Sequence, residues 1–234
     1  KFALGHISPM VLTLSRWTIA LCVISIIGRY HIQKDWQVIQ AKWLYFLLMG
    51  GFGFMGFNFA LYLSLHYTSA INVTIEQTAM PLLIFLFNFV IYRIGIRWLQ
   101  IFGYAFTVFG VIVVATYGEP WNLITQGGAG VNRGDLIMLV GSLFYAAYSV
   151  GLRSKPDIHW QSNLAALIAG GVIFSLFGLI YELYAGDVIW PHTWTGFTVA
   201  FYAGILPSLV SQGFFMSGVA ALGANRAGLY INLV

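Results

Sequence analysis

Long apolar segments alternate with short polar ones along almost the whole chain. Seven of them approach the roughly 20 mostly apolar residues that an α-helix needs to cross a bilayer, and an eighth is cut short where the sequence ends. The apolar runs are continuous, whereas the strands of a membrane β-barrel alternate in segments of about ten residues. The pattern therefore predicts an all-α, polytopic membrane protein. The predicted spans are residues 8–28, 43–65, 70–92, 98–117, 135–152, 161–184 and 194–218, with 225–234 as the start of the eighth.

The composition supports lipid as the solvent for most of the surface. Apolar residues make up 59% of the 234 residues and charged residues only 8%, whereas about a quarter of a soluble domain is charged. The net charge of +4 comes from basic residues that stand singly between apolar segments. They form no patch, so nucleic acid is not an expected partner. Because apolar segments reach both ends, we expect a fragment of a longer chain.

Lysine and arginine concentrate in every second connection. Eight of them fall in one set of alternate loops, and only Lys1 and Arg133 fall in the other set. Cytoplasmic loops of membrane proteins carry an excess of basic residues. We therefore expect a multi-pass protein of the inner (plasma) membrane with the basic loops in the cytoplasm. The eight residues are Arg29, Lys34, Lys42, Arg93, Arg97, Arg153, Lys155 and Arg226.

A weak internal repeat divides the chain into halves. A shift of 154 residues places residues 67–70 on residues 221–224, and each tetrapeptide joins two predicted spans. The offset contains five helices. Because this number is odd, the second half would be inverted relative to the first, an arrangement that recurs in secondary transporters.

Several short motifs follow one another in a specific order. They are Arg16 after Ser8-Pro9, Ala60-Leu61-Tyr62, Tyr67-Thr68-Ser69-Ala70-Ile71-Asn72 with Pro81 in the next span, Gly134-Asp135-Leu136 with Tyr145, and Gly223-Ala224-Asn225-Arg226-Ala227. In these motifs the chain resembles EamA-type transporters of the drug/metabolite transporter superfamily.

The resemblance implies a bundle of two inverted five-helix repeats, with about eight of the family's ten helices present. Residues 1–117 would be the first repeat without its first helix. Residues 118–134 would link the repeats, and 135–234 would be the second repeat, truncated in its fourth helix. It also implies transport of metabolites through a central cavity by alternating access. Glu76 departs from the family pattern, in which an uncharged residue is expected there.

Two charged residues inside apolar spans are the leading site candidates. Glu76 lies about 11 Å into its helix, at about 1.5 Å per residue, and a carboxylate in hydrocarbon is costly unless it is paired, protonated or wetted. Asn72 shares its helix face and Gln77 is adjacent. Arg16 lies at a similar depth and could pair with Glu76, hold an anionic substrate group or extend to the headgroups. The alternatives are a structural ion pair or a carboxylate that reaches a water-filled vestibule for Glu76, and a structural role for Arg16.

Other polar residues in the spans could line a neutral cavity or join helices through hydrogen bonds. Ser142 and Tyr145 fall near one helix face, and Gln212 shares a face with Ser208. Asn58 and Asn88 rank lowest as site candidates.

Nucleotide, metal and hydrolase sites are not indicated. Residues 51–56 match GxGxxG by letter, but this dinucleotide-binding fingerprint needs a preceding strand, and these residues lie inside a predicted span. Gly50, Gly53 and Gly56 instead form a stripe that lets another helix approach closely. The five histidines are scattered. No catalytic residue, metal site or cofactor is predicted.

The sequence thus favours a non-enzymatic secondary transporter of small metabolites, with amino-acid export as one option. Gradient coupling would run through Glu76. The alternatives are a membrane-embedded enzyme acting on lipid, a channel and a non-transporting membrane protein. Expected partners are a small-molecule substrate and the lipid bilayer, and a homodimer is left open.

Overall fold

The computed structural model describes residues 6–95, 97–115, 119–121 and 133–229. Within these residues every regular element is helical. The helices are α1 (Pro9–Ile27), α2 (Arg29–Ala41), α3 (Trp43–Gly50), α4 (Phe57–Ser64), α5 (Ala70–Gln77), α6 (Met80–Tyr92), α7 (Trp98–Ala115), α8 (Arg133–Gly151), α9 (Trp160–Ala185), α10 (Trp194–Ile205), α11 (Ser211–Leu222) and α12 (Ala224–Leu229). A 3₁₀ turn, Leu152–Ser154, follows α8.

The predicted spans agree with the helices to within a few residues. Six stretches in the described part of the chain are long and apolar enough to cross a membrane. Helix α7 is a further helix of 18 residues, most of them apolar. The all-helical fold is therefore confirmed. The six stretches are Pro9–Ile27, Trp43–Ser64, Ala70–Tyr92, Arg133–Ser154, Trp160–Ala185 and Trp194–Leu222.

The structure adds detail that the spans alone did not predict. Residues 29–41, expected as a loop, form α2. The predicted span 70–92 consists of two helices that meet at Thr78 and Ala79, with Pro81 in the first turn of the second. A proline is tolerated there because its missing N–H has no helical partner to lose. The predicted linker 118–134 and the end of the eighth span, 230–234, lie mostly or wholly outside the described residues.

Two spans contain π-helical segments. Gly51–Gly56 connects α3 to α4, and Leu206–Val210, which includes Pro207, connects α10 to α11. Gly56 and Val210, the last residues of these segments, are 154 residues apart, and so are Ala70 and Ala224, the first residues of α5 and α12. The irregularities of the backbone thus recur at the offset of the predicted repeat.

The chain divides into two compact units, and unit 1 comprises residues 1–59 and 154–217. Its centre is α9, which packs against α1 and α3. A methyl group on Gly50 would lie only 2.0 Å from the carbonyl oxygen of Leu167, and one on Gly170 only 2.5 Å from that of Phe46. The absence of side chains therefore lets α3 approach α9 closely, as the glycine stripe predicted for Gly50.

Unit 2 comprises residues 60–153 and 218–234. Its helix α8 packs against α5 and α6, and α12 packs against α6. The Asn88 side-chain amide donates to Asn225 Oδ1, which joins α6 to α12. Gly134 packs closely against the end of α4 and the loop after it: a Cβ there would lie 2.8 Å from the carbonyl oxygen of Ser64 and 2.9 Å from Thr68 Cβ.

Candidate functional site

Arg16 lies at the centre of a cluster of polar side chains in unit 1. Its Nε donates to the Ser208 hydroxyl at 2.7 Å, and its Nη1 donates to Asn58 Oδ1 at 3.3 Å. The guanidinium carbon also lies 4.9 Å from the ring of Trp17. Asn58 and Ser208 are buried and uncharged. Both side chains help to orient the guanidinium.

The partners of Arg16 come from the two irregular segments. Asn58 follows the first π-helical segment by two residues, and its amide donates to the carbonyl of Phe54 within that segment. Ser208 lies within the second segment and donates to the carbonyl of Ala203, five residues earlier, at 2.8 Å. Single π-helical turns are frequent at functional sites because they reposition side chains. Here they present two polar groups to one cation.

Glu76 lies against Asp135 inside unit 2. Glu76 is on α5 and Asp135 is in the first turn of α8, and the two carboxyl groups are close enough for a hydrogen bond. A hydrogen bond between carboxyl groups requires a proton on one of them, since a carboxylate can only accept. The structure therefore pairs Glu76 with an acid, which the sequence analysis did not predict.

Asn72 and Gln77 flank Glu76 on α5. The Asn72 amide donates to the Thr68 hydroxyl at 3.1 Å, and its backbone N–H donates to Ser69 Oγ, which caps the helix. Gln77 is half-buried in the last turn. Asn72 thus also stabilises the start of the helix that carries Glu76.

Ser142 and Tyr145 lie on α8, the helix that carries Asp135, and Gln212 lies on α11. Ser142 is fully buried. The rings of Tyr145 and Tyr148 are 5.7 Å apart. Ser142 and Tyr145 therefore belong to the same unit as Glu76, whereas Gln212 belongs to unit 1 with Arg16. A pair between Arg16 and Glu76 would join residues of different units, and it stays a prediction.

The buried Glu182 was not among the predicted site residues. Its carboxylate accepts hydrogen bonds from the Ser8 hydroxyl at 2.6 Å and from the backbone N–H groups of Met10 and Val11 at 3.1 and 3.3 Å. These are groups at the start of α1, where helical N–H donors have no partner within the helix. Glu182 thus caps α1 from the far end of α9. An acidic residue inside the span 161–184 was the available sequence signal.

A second polar junction joins α2 to the start of α9. Asp35 Oδ2 accepts the backbone N–H of His159 at 3.0 Å, and the imidazoles of His31 and His159 stack 3.5 Å apart. The Ser162 hydroxyl, and to a smaller extent the His159 N–H, lower the pKa of Asp35 below its usual 3.8, which outweighs the opposing effect of burial. This junction lies outside the membrane-spanning helices.

The structure does not support a nucleotide-binding role for the GxGxxG motif. Residues 51–56 form a π-helical segment between two α-helices. A nucleotide fingerprint needs the turn between a strand and a helix. The motif here serves helix packing and the Arg16 group.

Comparison with known proteins gives a family match, a curated relative and a solved structure of similar fold. Residues 1–116 match the model of the EamA-like transporter family. A curated Bacillus subtilis (strain 168) protein named "Uncharacterized transporter YyaM" is 25% identical over 240 residues, which cover 100% of this chain and 76% of that protein. A solved crystal structure shares the fold with a TM-score of 0.74 at 18% identity, covering 98% of this chain and 76% of that one.

The apolar helices and these matches define a multi-pass membrane transporter. The match of residues 1–116 to the EamA-like transporter family and the likeness to a protein named as a transporter support a membrane transporter of the drug/metabolite transporter type.

Proposed function

We propose that the protein is a secondary carrier of small metabolites that works by alternating access. The observation that supports this most strongly is the presence of charged side chains held by polar partners inside membrane spans, Arg16 in unit 1 and Glu76 with Asp135 in unit 2. Ionisable residues within spans are costly and mark substrate and ion pathways. Amino acids and organic acids carry a carboxylate of the kind that the Arg16 guanidinium can bind.

The carrier mechanism is tested by counterflow. Purified protein in liposomes preloaded with one metabolite should take up the same labelled metabolite transiently against its gradient, and the uptake should saturate with concentration. A panel of amino acids and organic acids covers the proposed substrates. Uptake that rises linearly with concentration, or a single-channel current, would contradict a carrier.

The role of Arg16 is to bind an anionic group of the substrate. Its guanidinium is oriented by Asn58 and Ser208, and a planar guanidinium can bind a carboxylate through two parallel hydrogen bonds. Arg16→Lys keeps the charge but cannot reproduce the fork. It should raise the substrate concentration for half-maximal uptake at least tenfold, while unfolding at nearly the same temperature. Unchanged uptake would show that Arg16 is structural.

The pair Glu76 and Asp135 supports coupling to a proton gradient. Two carboxyl groups in contact repel when both are ionised, and either a proton or an approaching ammonium group would relieve that repulsion. Glu76→Gln should abolish accumulation driven by a pH gradient, while counterflow without a gradient persists. The matched control is Asp187→Asn, which removes an exposed acid outside the spans. Equal losses in both variants would argue against this role.

The basic loops are proposed to face the cytoplasm of the plasma membrane. This orientation places Arg29, Arg93, Arg153 and Arg226 on one side. Cysteines introduced singly at exposed positions near Arg29 and Arg153, in a Cys22→Ser background, should resist a membrane-impermeant thiol reagent in whole cells. Rapid labelling of both in whole cells would reverse the proposed topology.

A further inference from the structure

A groove at the junction of α1 and α2 combines one cation with apolar and aromatic walls. Its volume is about 460 Å³. The described residues that line it are Ser25, Arg29, Ile32, Gln33 and Trp36. Their spacing of three or four residues places them along one face of the two helices, which meet at Gly28. The described wall contains a guanidinium, a side-chain amide, a hydroxyl and an indole N–H, all of which can donate hydrogen bonds.

The position of α2 places this groove at the membrane surface. The helix follows the span Pro9–Ile27 and precedes the span Trp43–Ser64, so both of its ends lead into the bilayer. None of its 13 residues is buried within the protein. The exposed Tyr30 and Trp36 are aromatic residues of the kind that collect at headgroup depth. Helix α2 therefore has the character of an interfacial helix.

Lipid-facing and polar surfaces meet at Arg29. Ile26 and Ile27, in the last turn of α1, are 77% and 62% exposed, which fits contact with acyl chains. Arg29 begins the next helix, two residues after Ile27. The carboxylate of the same helix, Asp35, is engaged on the side of α9 through His159. It is not among the groove's described lining residues.

We propose that this groove binds the headgroup of an anionic phospholipid. The phosphate would be held by the Arg29 guanidinium, with Gln33 and Trp36 as further donors, and one acyl chain would follow Ile26 and Ile27. Arginine suits phosphate because its donors form a planar fork. The basic side of the membrane protein, which includes Lys34 and Lys42, adds a longer-range attraction for anionic lipid. This site is separate from Arg16 and Glu76 and does not depend on the transport mechanism.

The proposal is tested with the purified protein in detergent by native mass spectrometry and thermal unfolding. Phosphatidylglycerol should remain bound and raise the unfolding temperature more than phosphatidylcholine with the same acyl chains. Arg29→Gln should weaken phosphatidylglycerol binding at least tenfold. Lys34→Gln is the matched control, because it removes a cation from the same helix outside the groove and should weaken binding less than threefold.

Three outcomes would overturn the proposal. Equal losses in Arg29→Gln and Lys34→Gln would indicate diffuse attraction rather than a site. Equal binding of the two lipids would show that the headgroup charge is not recognised. Stabilisation by glycerol phosphate or inorganic phosphate as strong as that by lipid would assign the groove to a soluble anion.

A second measurement keeps the test valid if Arg29→Gln does not fold. Brominated phosphatidylglycerol should quench the tryptophan fluorescence of the unchanged protein more than brominated phosphatidylcholine does. Trp36→Phe should remove that difference, because the indole that contacts the lipid is gone. A difference that survives in Trp36→Phe would contradict binding in this groove.

Discussion

Glu182 and Arg16 are charged residues that form hydrogen bonds with specific polar groups from other parts of the chain. The Glu182 carboxylate accepts three hydrogen bonds from the start of α1. Arg16 donates to Asn58 and Ser208. The donors around Glu182 are backbone groups and one hydroxyl that need an acceptor, which indicates a structural role. Asn58 and Ser208, which accept hydrogen bonds from Arg16, are neutral side chains, and this fits the proposed role of Arg16 in binding an anionic group of the substrate.

Glu182→Ala should therefore destabilise the protein rather than change its substrate. Removing the carboxylate leaves three donors at the start of α1 without their acceptor. The expected loss is about 2–4 kcal/mol of unfolding free energy, from hydrogen bonds to a charged group and from the donors left unpaired. Unfolding by a denaturing detergent, followed by circular dichroism, measures it.

The control for Glu182 is Asp187→Asn. Asp187 lies five residues further along and is exposed. This variant should change the unfolding free energy by less than about 0.5 kcal/mol, as is usual for surface substitutions. Indistinguishable unfolding of Glu182→Ala and Asp187→Asn would contradict the capping role.

Asp35 predicts a dependence of stability on pH. Its pKa is lowered in the folded protein by the Ser162 hydroxyl and the His159 N–H. The charged form is thus favoured in the folded state, so the contribution is complete above the usual value of 3.8 and is lost as the pH falls through the lower folded value. Asp35→Asn should lower stability at neutral pH by about 1 kcal/mol, the typical scale of such a hydrogen bond.

The measurement for Asp35 is thermal unfolding between pH 3 and 7. The difference between the unchanged protein and Asp35→Asn should shrink as the pH falls below about 4, where carboxyl groups begin to protonate. Lys42→Gln, at the C-terminal end of α2, removes a cation that does not act on Asp35, and its difference from the unchanged protein should vary little over this range. If the difference in unfolding temperature between the unchanged protein and Asp35→Asn stays constant down to pH 3, the Asp35 carboxylate does not make this contribution to stability.

Single residues were predictable only where they contrasted with their neighbours along the chain. Arg16 and Glu76 stand out as charges within apolar runs. Their partners could not be predicted, because Ser208 is 192 residues from Arg16, and its type is common in spans. Asn58 ranked lowest among the site candidates in the sequence analysis, yet it contacts Arg16 in the structure. Glu182 caps a helix 172 residues away at Met10, and no local pattern encodes such a pairing.

At the scale of elements, glycine determines how closely the helices of unit 1 pack. Gly50 and Gly170 face backbone carbonyl oxygens on the opposite helix. Backbone atoms cannot move aside as the end of a flexible side chain can. Close contact between backbones is one of the main ways in which membrane helices associate, since burial of apolar surface gives little advantage in lipid.

Gly50→Ala should therefore separate α3 from α9. The added methyl group would lie 2.0 Å from the Leu167 oxygen, so we expect a loss of at least about 1–3 kcal/mol, as for overpacked cores. Gly103→Ala is the control, because nothing lies within 4 Å of its added Cβ. Alanine there should be neutral or stabilise α7 by up to about 1 kcal/mol. Equal thermal unfolding of the two variants would contradict the close packing.

The spans were predictable because lipid forces long apolar helices on the sequence. Interruptions were harder to predict. Two of them coincide with prolines, Pro81 at the start of α6 and Pro207 within a π-helical segment. Helix α2 was not predicted, because its 13 residues mix polar and aromatic side chains and lack the apolar length of a span.

At the scale of the whole molecule, the two compact units differ from the two predicted repeats. Unit 1 contains α1 and α9, and unit 2 contains α5 and α12, and the 154-residue offset relates the members of each pair. Each unit thus takes equivalent helices from both halves of the sequence. The repeat boundaries at 1–117 and 135–234 remain a proposal, which the recurring π-helical segments support.

Proton movement coupled to substrate tests the central claim of a proton-coupled carrier most directly. The purified protein is placed in liposomes that contain a pH-sensitive dye, and a substrate found by counterflow is added outside. The unchanged protein should shift the internal pH in proportion to the substrate transported, whereas Glu76→Gln should transport without a shift. Transport by the unchanged protein with no change in internal pH, or an equal shift in Glu76→Gln, would contradict the account.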